Sequence, residues 1–318
     1  MTTDHDHLER HDHSGRHGHH HLHAPGADAM GRAFAVGVIL NLAYVVAEVV
    51  FGLLAGSLAL LADAAHNFGD VLGLAMAWLA STLARRAPSA RYTYGLRGTS
   101  ILASLANATL LLLVTGAIAW DAVQRLEAPR PAAGLTVMIV ALAGVVVNGF
   151  CALLFARGRK GDLNVRAAFA HLAADALVAL GVVVAGGLII VTGWTWIDPA
   201  ASLVISVVIV LSSWSLMRES LDLALQAVPP GIDRSGVLEY LTGLPGVSEV
   251  HDLHIWGMST TETALTAHLV RPGASLDDAL LHRVCEELRS RFAIHHATFQ
   301  IEGGNDTHPC ELAQEGAV

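Results

Sequence analysis

The stretch that decides the fold reads Leu60-Leu61-Ala62-Asp63-Ala64-Ala65-His66-Asn67-Phe68-Gly69-Asp70. It lies inside a long apolar segment, where its ionisable side chains would be costly to surround with lipid. His66 and Asp70 are four residues apart, which places both side chains on one face of an α-helix. Ionisable residues inside a membrane-spanning helix usually serve a function. Whether this segment crosses a membrane therefore decides how the chain is interpreted.

The composition of the whole chain favours a membrane protein. Of its 318 residues, 53% are hydrophobic and only 15% are charged, whereas soluble domains carry roughly 25% charged residues. The net charge of -9 leaves no basic surface for nucleic acid. Segments of about 20 residues can cross a hydrocarbon layer of ~30 Å as helices. We predict six such spans, near residues 33–54, 57–83, 99–120, 134–156, 167–192 and 196–216.

The charges in the loops predict the orientation of these spans in the lipid bilayer. The connections after the second and the fourth span carry eight Arg and Lys residues, whereas the loops on the opposite side carry two. Positively charged loops stay preferentially in the cytoplasm. We therefore predict a multi-pass protein of the cell inner (plasma) membrane with both termini in the cytoplasm.

The regions outside the spans differ from them in composition. The first 30 residues contain nine of the 18 histidines and almost no apolar side chains, so we expect a disordered tail that captures metal, with an inert tail or tag as the alternative. After the last span, the sequence predicts a linker helix over 221–228, a helix over 237–244, strands over 247–256 and 263–270, a helix over 276–292 and a strand over 297–302. The last five elements have the α-β-β-α-β order that is typical of a small two-layer α/β domain. The predicted division is a His-rich tail at 1–30, a six-helix transmembrane domain at 31–218, a linker at 219–230, a cytoplasmic α/β domain at 231–305 and a tail at 306–318.

A second His-x-x-x-Asp pair, His171 and Asp175, lies in the fifth span. Two helices that each present an imidazole and a carboxylate supply four ligands, which suit a tetrahedral Zn²⁺ site. The ion would also offset the cost of burying two carboxylates. Structural hydrogen bonds between the helices are the alternative, but the repeated spacing favours the metal. Asp63 does not share that spacing, so we assign it to the ion pathway or to structure and not to the ligands.

Transport is the function that such a site favours. Buried ionisable groups in membranes mark ion pathways and proton relays, and the sequence places no nucleophile or general base nearby. An intramembrane metalloprotease would need a His-Glu-x-x-His helix, which this sequence lacks, so we do not expect an enzyme. A membrane-anchored zinc sensor or buffer that does not transport is the remaining alternative.

Several motifs together resemble the cation diffusion facilitator family. The resemblance covers about residues 30–305 and implies a homodimeric divalent-metal/proton antiporter that exports zinc from the cytoplasm. It rests on Asn41-x6-Glu48-x3-Gly52, Ser57 to Asp70, Tyr92-Thr93-Tyr94-Gly95, Asp162-Leu163-Asn164-Val165-Arg166, His171-x3-Asp175, His251-Asp252-Leu253-His254-Ile255-Trp256 and the stretch from His295 to Glu302.

The same resemblance implies two sets of metal ligands and a metallochaperone-like fold for the cytoplasmic domain. The transport site is matched position by position by His66, Asp70, His171 and Asp175. A histidine at the first of these positions resembles the zinc-preferring members, although Cd²⁺, Co²⁺ or Fe²⁺ remain possible substrates. The cytoplasmic site is implied to comprise His251, His268 and Glu302, with ordinary polar residues on a half-exposed sheet as the alternative. The sequence assigns no role to Cys310.

Overall fold

The computed structural model describes residues 27–84, 86–128, 130–156, 163–273, 277–304 and 310–313. Most of the predicted His-rich tail and most of the C-terminal tail lie outside these residues. Within these ranges, six long helices are followed by a small domain of two α-helices and three strands, and a short 3-10 helix lies at Glu311–Ala313. In chain order these are α1 (Ala27–Ala55), α2 (Leu58–Ala84), α3 (Thr99–Glu127), α4 (Gly134–Ala156), α5 (Leu163–Thr192), α6 (Ile197–Ala224), α7 (Arg234–Thr242), β1 (Glu249–Gly257), β2 (Thr263–Val270), α8 (Asp278–Phe292) and β3 (Ile294–Glu302).

Among the described residues, five helices are long and apolar enough to cross a membrane, and these are α1, α3, α4, α5 and α6. The sixth long helix, α2, is not among them. Its polar residues, which include Asp63, His66, Asn67 and Asp70, lower its mean hydropathy. The predicted number of long helices is therefore confirmed, while the crossing of the membrane by α2 stays a prediction.

The six long helices pack side by side around a shared apolar interior. Leu60, Val137, Val182 and Ile209 are buried in it, and they come from four different helices. Helices α4 and α5 approach especially closely, because a Cβ atom on Gly186 would lie 2.8 Å from the backbone nitrogen of Met138. Small residues permit such approach in membrane helices. Large aliphatic side chains cover the outside of the bundle, as expected of a lipid-facing surface.

A polar contact at one end of the bundle holds α2 against α6. The turn between α1 and α2 is tight, with Gly56 in the left-handed region at φ 66°. Asp198, in the first turn of α6, accepts hydrogen bonds from the Ser57 hydroxyl and from the backbone N–H of Leu58, the latter at 2.7 Å. Arg125 donates to the carbonyl of Gly56. The start of α2, the helix that carries His66, is therefore anchored to two other helices.

The cytoplasmic domain has the predicted α-β-β-α-β order. Strands β1 and β2 are antiparallel, β2 and β3 are parallel, and the described sheet has the order β1-β2-β3. Leu241 of α7 and Val284 and Leu288 of α8 are buried together with Leu265 of β2. A single apolar core therefore lies between the helices and the sheet, which makes this part an α/β domain joined to the helical domain.

Several boundaries differ from the prediction. Residues 27–30, expected in the disordered tail, form the first turn of α1. Residues 219–224 were expected in a linker that is helical over 221–228, but they belong to α6, which continues because no helix-breaking residue occurs before Pro229. Strand β3 begins at Ile294 and not at residue 297, since Ala293 adopts a left-handed conformation that ends α8 and turns the chain directly into the strand.

Candidate metal sites in the helical and cytoplasmic domains

The structure brings together the four ligands predicted on α2 and α5. The Nε2 atom of His66 lies 3.4 Å from Oδ1 of Asp175, and the Nε2 atom of His171 lies 3.2 Å from Oδ2 of Asp70. Each imidazole therefore contacts the carboxylate of the other helix. The two imidazole rings meet edge to face with their centroids 6.1 Å apart. The four side chains form one compact cluster, called the membrane site below.

The helical spacing explains why the membrane site forms. Within α2, His66 Nε2 lies 3.9 Å from Asp70 Oδ2, and within α5, His171 Nε2 lies 3.6 Å from Asp175 Oδ2. A separation of four residues aligns each pair on one helix face. Packing of the two helices then turns the faces toward each other. Two nitrogens and two oxygens at these distances are a ligand set that suits tetrahedral zinc.

Further polar side chains are buried beside the membrane site. Glu48 of α1 accepts a hydrogen bond of 3.0 Å from the side-chain amide of Asn67, and both residues are almost inaccessible to solvent. Asp63 is equally buried, one turn before His66. Among the described residues, the ligand atoms that converge within 4.8 Å belong to His66, Asp70 and Asp175, so this group includes neither Asp63 nor His171. His171 is half-exposed but contacts both carboxylates of the site, at 3.2 Å and 3.6 Å. The assignment of Asp63 to the pathway or to structure stays a prediction.

The three residues predicted for a cytoplasmic site also meet in the structure. His251 and His268 lie directly opposite each other on β1 and β2, with ring centroids 5.2 Å apart. Glu302, at the end of β3, reaches both. Its Oε1 atom lies 3.3 Å from Nε2 of His251 and 3.0 Å from Nδ1 of His268. Adjacent strands therefore assemble residues that are up to 51 positions apart in the chain.

Three further described residues contact this cluster and were not predicted from the sequence. The Sγ atom of Cys310 lies 3.5 Å from Nδ1 of His268. Cys310 could not have been predicted, because no regular spacing relates this cysteine to the strands. Asp252 places Oδ2 3.4 Å from Nε2 of His268. Glu249 places Oε1 3.5 Å from Nδ1 of His251. Glu249 could have been found, because residues two apart in a strand share a face.

The surroundings of Glu302 keep it ionised. Partial burial acts to raise the pKa of its carboxyl, but hydrogen bonds with Gln300 and Cys310 and the nearby His251 and His268 outweigh burial and hold the pKa below its ordinary value. The Gln300 amide donates to Oε1 at 3.0 Å. At neutral pH the carboxylate is therefore available as an anionic metal ligand.

The cytoplasmic domain contacts the helical domain through the loop between β1 and β2. Glu262 of this loop forms an ion pair with Arg97, just before α3. The backbone N–H of Thr260 donates to the hydroxyl of Ser100 in the first turn of α3 at 3.1 Å. The loop and α3, together with Gly73 of α2, line a cavity of about 580 Å³. The strands that carry His251 and His268 are therefore joined directly to the helical domain.

These features define a class of protein, namely a metal-binding membrane protein with a helical domain and a cytoplasmic α/β domain. Residues 34–223 match the family model described as the cation efflux transmembrane domain. Residues 229–303 match the model described as the cation efflux protein cytoplasmic domain. The chain belongs to the cation efflux family, whose members include transporters of zinc, cadmium and cobalt.

Several relatives match this chain over most of its length. It is 36% identical over 298 residues to zinc transporter ZitB of Pectobacterium atrosepticum, with 93% of each chain covered. It is 31% identical over 293 residues to the cadmium, cobalt and zinc/H(+)-K(+) antiporter of Bacillus subtilis, with 91% of this chain and 93% of that one covered. It is 33% identical over 283 residues to the metal cation efflux system protein CzcD of Cupriavidus metallidurans, with 89% and 88% covered.

A solved structure of the metal-bound C-terminal domain of the CzcD transporter from Cuprividus metallidurans is also similar in sequence, with 33% identity. It covers 22% of this chain and 99% of its own, at a TM-score of 0.21. At that score the likeness carries no structural argument.

Proposed function

We propose that the protein exports Zn²⁺ from the cytoplasm in exchange for protons. The ion binds at a tetrahedral site formed by His66, Asp70, His171 and Asp175. The observation that carries this proposal is the convergence of two His-x-x-x-Asp pairs from two long helices into one cluster. Relatives described as a zinc transporter and as a proton-coupled antiporter support it.

The contacts across the membrane site provide a reason for proton exchange. An imidazole nitrogen that lies 3.2–3.4 Å from a carboxylate oxygen must carry a proton to make a favourable contact. Zinc binds only the deprotonated imidazole, so zinc and protons compete for His66 and His171. Two imidazolium groups or one Zn²⁺ ion would each balance the charge of the two carboxylates. The buried site is thereby neutral with either cargo, which avoids the cost of uncompensated charge in a membrane.

The contacts also explain how movement of the helices could expose the site. Both short imidazole–carboxylate contacts cross from α2 to α5, so any displacement of one helix along the other changes the ligand set. The cavity lined by Gly73 begins three residues after Asp70 and extends toward the loop of the cytoplasmic domain. We propose this cavity as the route by which zinc enters from the cytoplasm.

Flux measurements test the transport proposal. Proteoliposomes that contain the full chain are loaded with a zinc-sensitive dye and subjected to a pH gradient. We expect zinc flux in the wild type and in Asp222→Asn, which changes an exposed carboxylate on α6. Asp175→Asn should abolish the flux, because the amide is a poor zinc ligand and cannot supply the negative charge. Flux at the wild-type rate in Asp175→Asn would contradict the assigned site.

The same measurement separates transport from the alternative of a zinc sensor or buffer. A buffer would bind zinc in proportion to the protein added and would show no sustained flux and no dependence on the pH gradient. Repeating the assay with Cd²⁺, Co²⁺ and Fe²⁺ would determine the selectivity. Relatives named for cadmium and cobalt as well as zinc make the first two the strongest further substrates.

We propose further that the protein is a homodimer with six membrane-spanning helices and both termini in the cytoplasm. The name of the matching cytoplasmic family model, ZT_dimer, supports the dimer. Zinc bound by His251, His268 and Glu302 would change the position of β1 and β2. The loop that joins these strands contacts α3 through Glu262 and Thr260, so zinc in the cytoplasm could favour transport by this route.

A further inference from the structure

We infer that Cys310 is a fourth, thiolate ligand of the cytoplasmic site and gives this site a preference for soft metals that the membrane site lacks. This inference rests on the proposed regulatory binding of metal by His251, His268 and Glu302. It adds a residue and a selectivity that neither the spacing of the motifs nor the family resemblance assigns.

The distances around Cys310 fit one shared metal ion. One ligand atom from each of His251, His268, Glu302 and Cys310 lies within 4.8 Å of all the others. The measured separations are 3.0 Å and 3.3 Å from Glu302 to the two imidazoles and 3.5 Å from the thiol to His268. Zinc–ligand bonds of ~2.0–2.3 Å give a tetrahedron with edges of roughly 3.3–3.8 Å. The ligands therefore need only small movements to bind zinc.

Carboxylates on the far sides of both imidazoles orient them toward the cluster. Asp252 lies beside Nε2 of His268, so the Nδ1 atom faces Cys310 and Glu302. Glu249 lies beside Nδ1 of His251, so the Nε2 atom faces Glu302. A carboxylate on the other nitrogen is the usual outer partner of a metal-binding histidine, because it fixes the orientation of the ring and increases its basicity.

The burial of His251 is an independent sign that a partner is missing. Its side chain is only 8% exposed. Within the described part of the chain, neither of its ring nitrogens makes a hydrogen bond of good geometry. Buried polar atoms are rarely left without a partner. An ion held between His251, His268, Glu302 and Cys310 would satisfy the nitrogen that faces the cluster.

A thiolate distinguishes the two sites chemically. The membrane site offers nitrogen and oxygen only, whereas Cys310 adds sulfur to the cytoplasmic site. Soft thiolate ligands favour Cd²⁺ and Zn²⁺ over the harder Co²⁺ and Fe²⁺. The thiolate and the Glu302 carboxylate together balance the charge of one divalent ion. The cytoplasmic site would therefore respond to cadmium and zinc more strongly than to other transported metals.

Cadmium titration of the full chain in detergent tests this inference, because a cadmium–thiolate bond has an ultraviolet charge-transfer band that nitrogen and oxygen ligands do not produce. We expect the band in the wild type, saturating at one Cd²⁺ per chain. It should persist in Cys285→Ser, which alters a cysteine of α8, and disappear in Cys310→Ser. We also expect the Cd²⁺ affinity of the cytoplasmic site to fall by more than about 10-fold in Cys310→Ser, whereas the Co²⁺ affinity falls less.

A second measurement checks the same ligand without relying on absorption. Zinc should protect Cys310 from alkylation in the wild type, and His268→Ala should remove that protection. A band that survives Cys310→Ser, a wild type that binds cadmium without the band, or alkylation of Cys310 unaffected by zinc would each overturn the inference. These results are independent of transport, since loss of zinc flux in the wild type would overturn the proposed function and leave the absorption band unchanged.

Discussion

The two candidate metal sites of this protein are made of similar side chains but are assembled in different ways. The membrane site comes from two local pairs on α2 and α5, and the members of each pair are four positions apart. The cytoplasmic site comes from three strands and a C-terminal cysteine, with no repeated spacing. The first can be recognised in the sequence because helical periodicity creates it. The second depends on strand register, which the sequence specifies only through the whole fold of the domain.

The two clusters also differ in their electrostatic surroundings. The membrane site lies among apolar helices, so under the proposed exchange its charges would have to balance within the site with either zinc or protons bound. The cytoplasmic site is beside solvent and can tolerate a further anionic ligand, such as Cys310. This difference agrees with the proposed roles, in which the membrane site would have to release its ion and the cytoplasmic site would have to retain one.

Matched substitutions of one histidine in each site should give the largest difference. His171→Ala should lower pH-driven zinc flux by at least about 100-fold, more than the loss of an outer-shell partner typically costs. His268→Ala should leave flux measurable and change only its dependence on cytoplasmic zinc. Both are measured in proteoliposomes at matched protein density. Equal losses in the two variants would show that the sites do not have separate roles.

Asp252→Asn should have the next largest effect, and only at the cytoplasmic site. Asp252 touches His268 and adopts a left-handed conformation at φ 50°, which asparagine also tolerates. The backbone should therefore be preserved while the oriented imidazole is lost. We expect zinc affinity at this site to fall by about 10- to 100-fold in a calorimetric titration. Asp278→Asn, on the exposed start of α8, is the control, and an unchanged affinity in Asp252→Asn would contradict the positioning role.

A smaller effect is expected from the ion pair that joins the two domains. Arg97→Glu should weaken the coupling of cytoplasmic zinc to transport by a few-fold, because partly exposed ion pairs contribute about 0.2–1 kcal/mol. The double variant Arg97→Glu/Glu262→Arg should restore the coupling. The coupling is measured as the ratio of the zinc flux at high cytoplasmic zinc to the flux at low cytoplasmic zinc. If the double variant behaves as the sum of the two single variants, the contact does not transmit the signal.

The smallest effect concerns pH and Glu302. Because folding lowers the pKa of this carboxyl, its ionised form stabilises the folded state above the unfolded-state value of ~4.3. That stabilisation is lost as the pH falls through the lower folded-state value. Glu302→Gln should therefore have a lower free energy of unfolding than the wild type at pH 7 without metal, by less than about 1 kcal/mol because the carboxyl is only partly buried and solvent screens its interactions. The difference should vanish in acid. A difference in stability between Glu302→Gln and the wild type that grows on acidification would contradict the lowered pKa of Glu302.

The fold could be predicted in most of its elements, because periodicity and length carry the information. The six long helices and the α-β-β-α-β order were expected, and β2 has the predicted bounds. Errors occurred at the ends of elements. The end of α6 at Ala224 and the early start of β3 coincide with positive φ angles at Gln226 and Ala293, and the identities of these two residues do not predict that conformation.

The residues of the candidate sites likewise divide into those that could be predicted from the sequence and those that could not. His66, Asp70, His171 and Asp175 could be named from the sequence, since the apolar surroundings make each ionisable group conspicuous. The family resemblance supplied His251, His268 and Glu302. Cys310 and Asp252 could not be found, because a cysteine in a short tail and an aspartate within a strand are common without any ligand role.

The sequence by itself determined that two helices each present an imidazole and a carboxylate on one face, because a four-residue separation does so in any α-helix. Only the tertiary structure decided that each imidazole of the membrane site contacts the carboxylate of the opposite helix, since this depends on how α2 packs against α5. Only the tertiary structure, likewise, placed the thiol of Cys310 beside His268. Contacts between distant segments follow from the packing of the whole chain, whereas a helical face follows from local geometry alone.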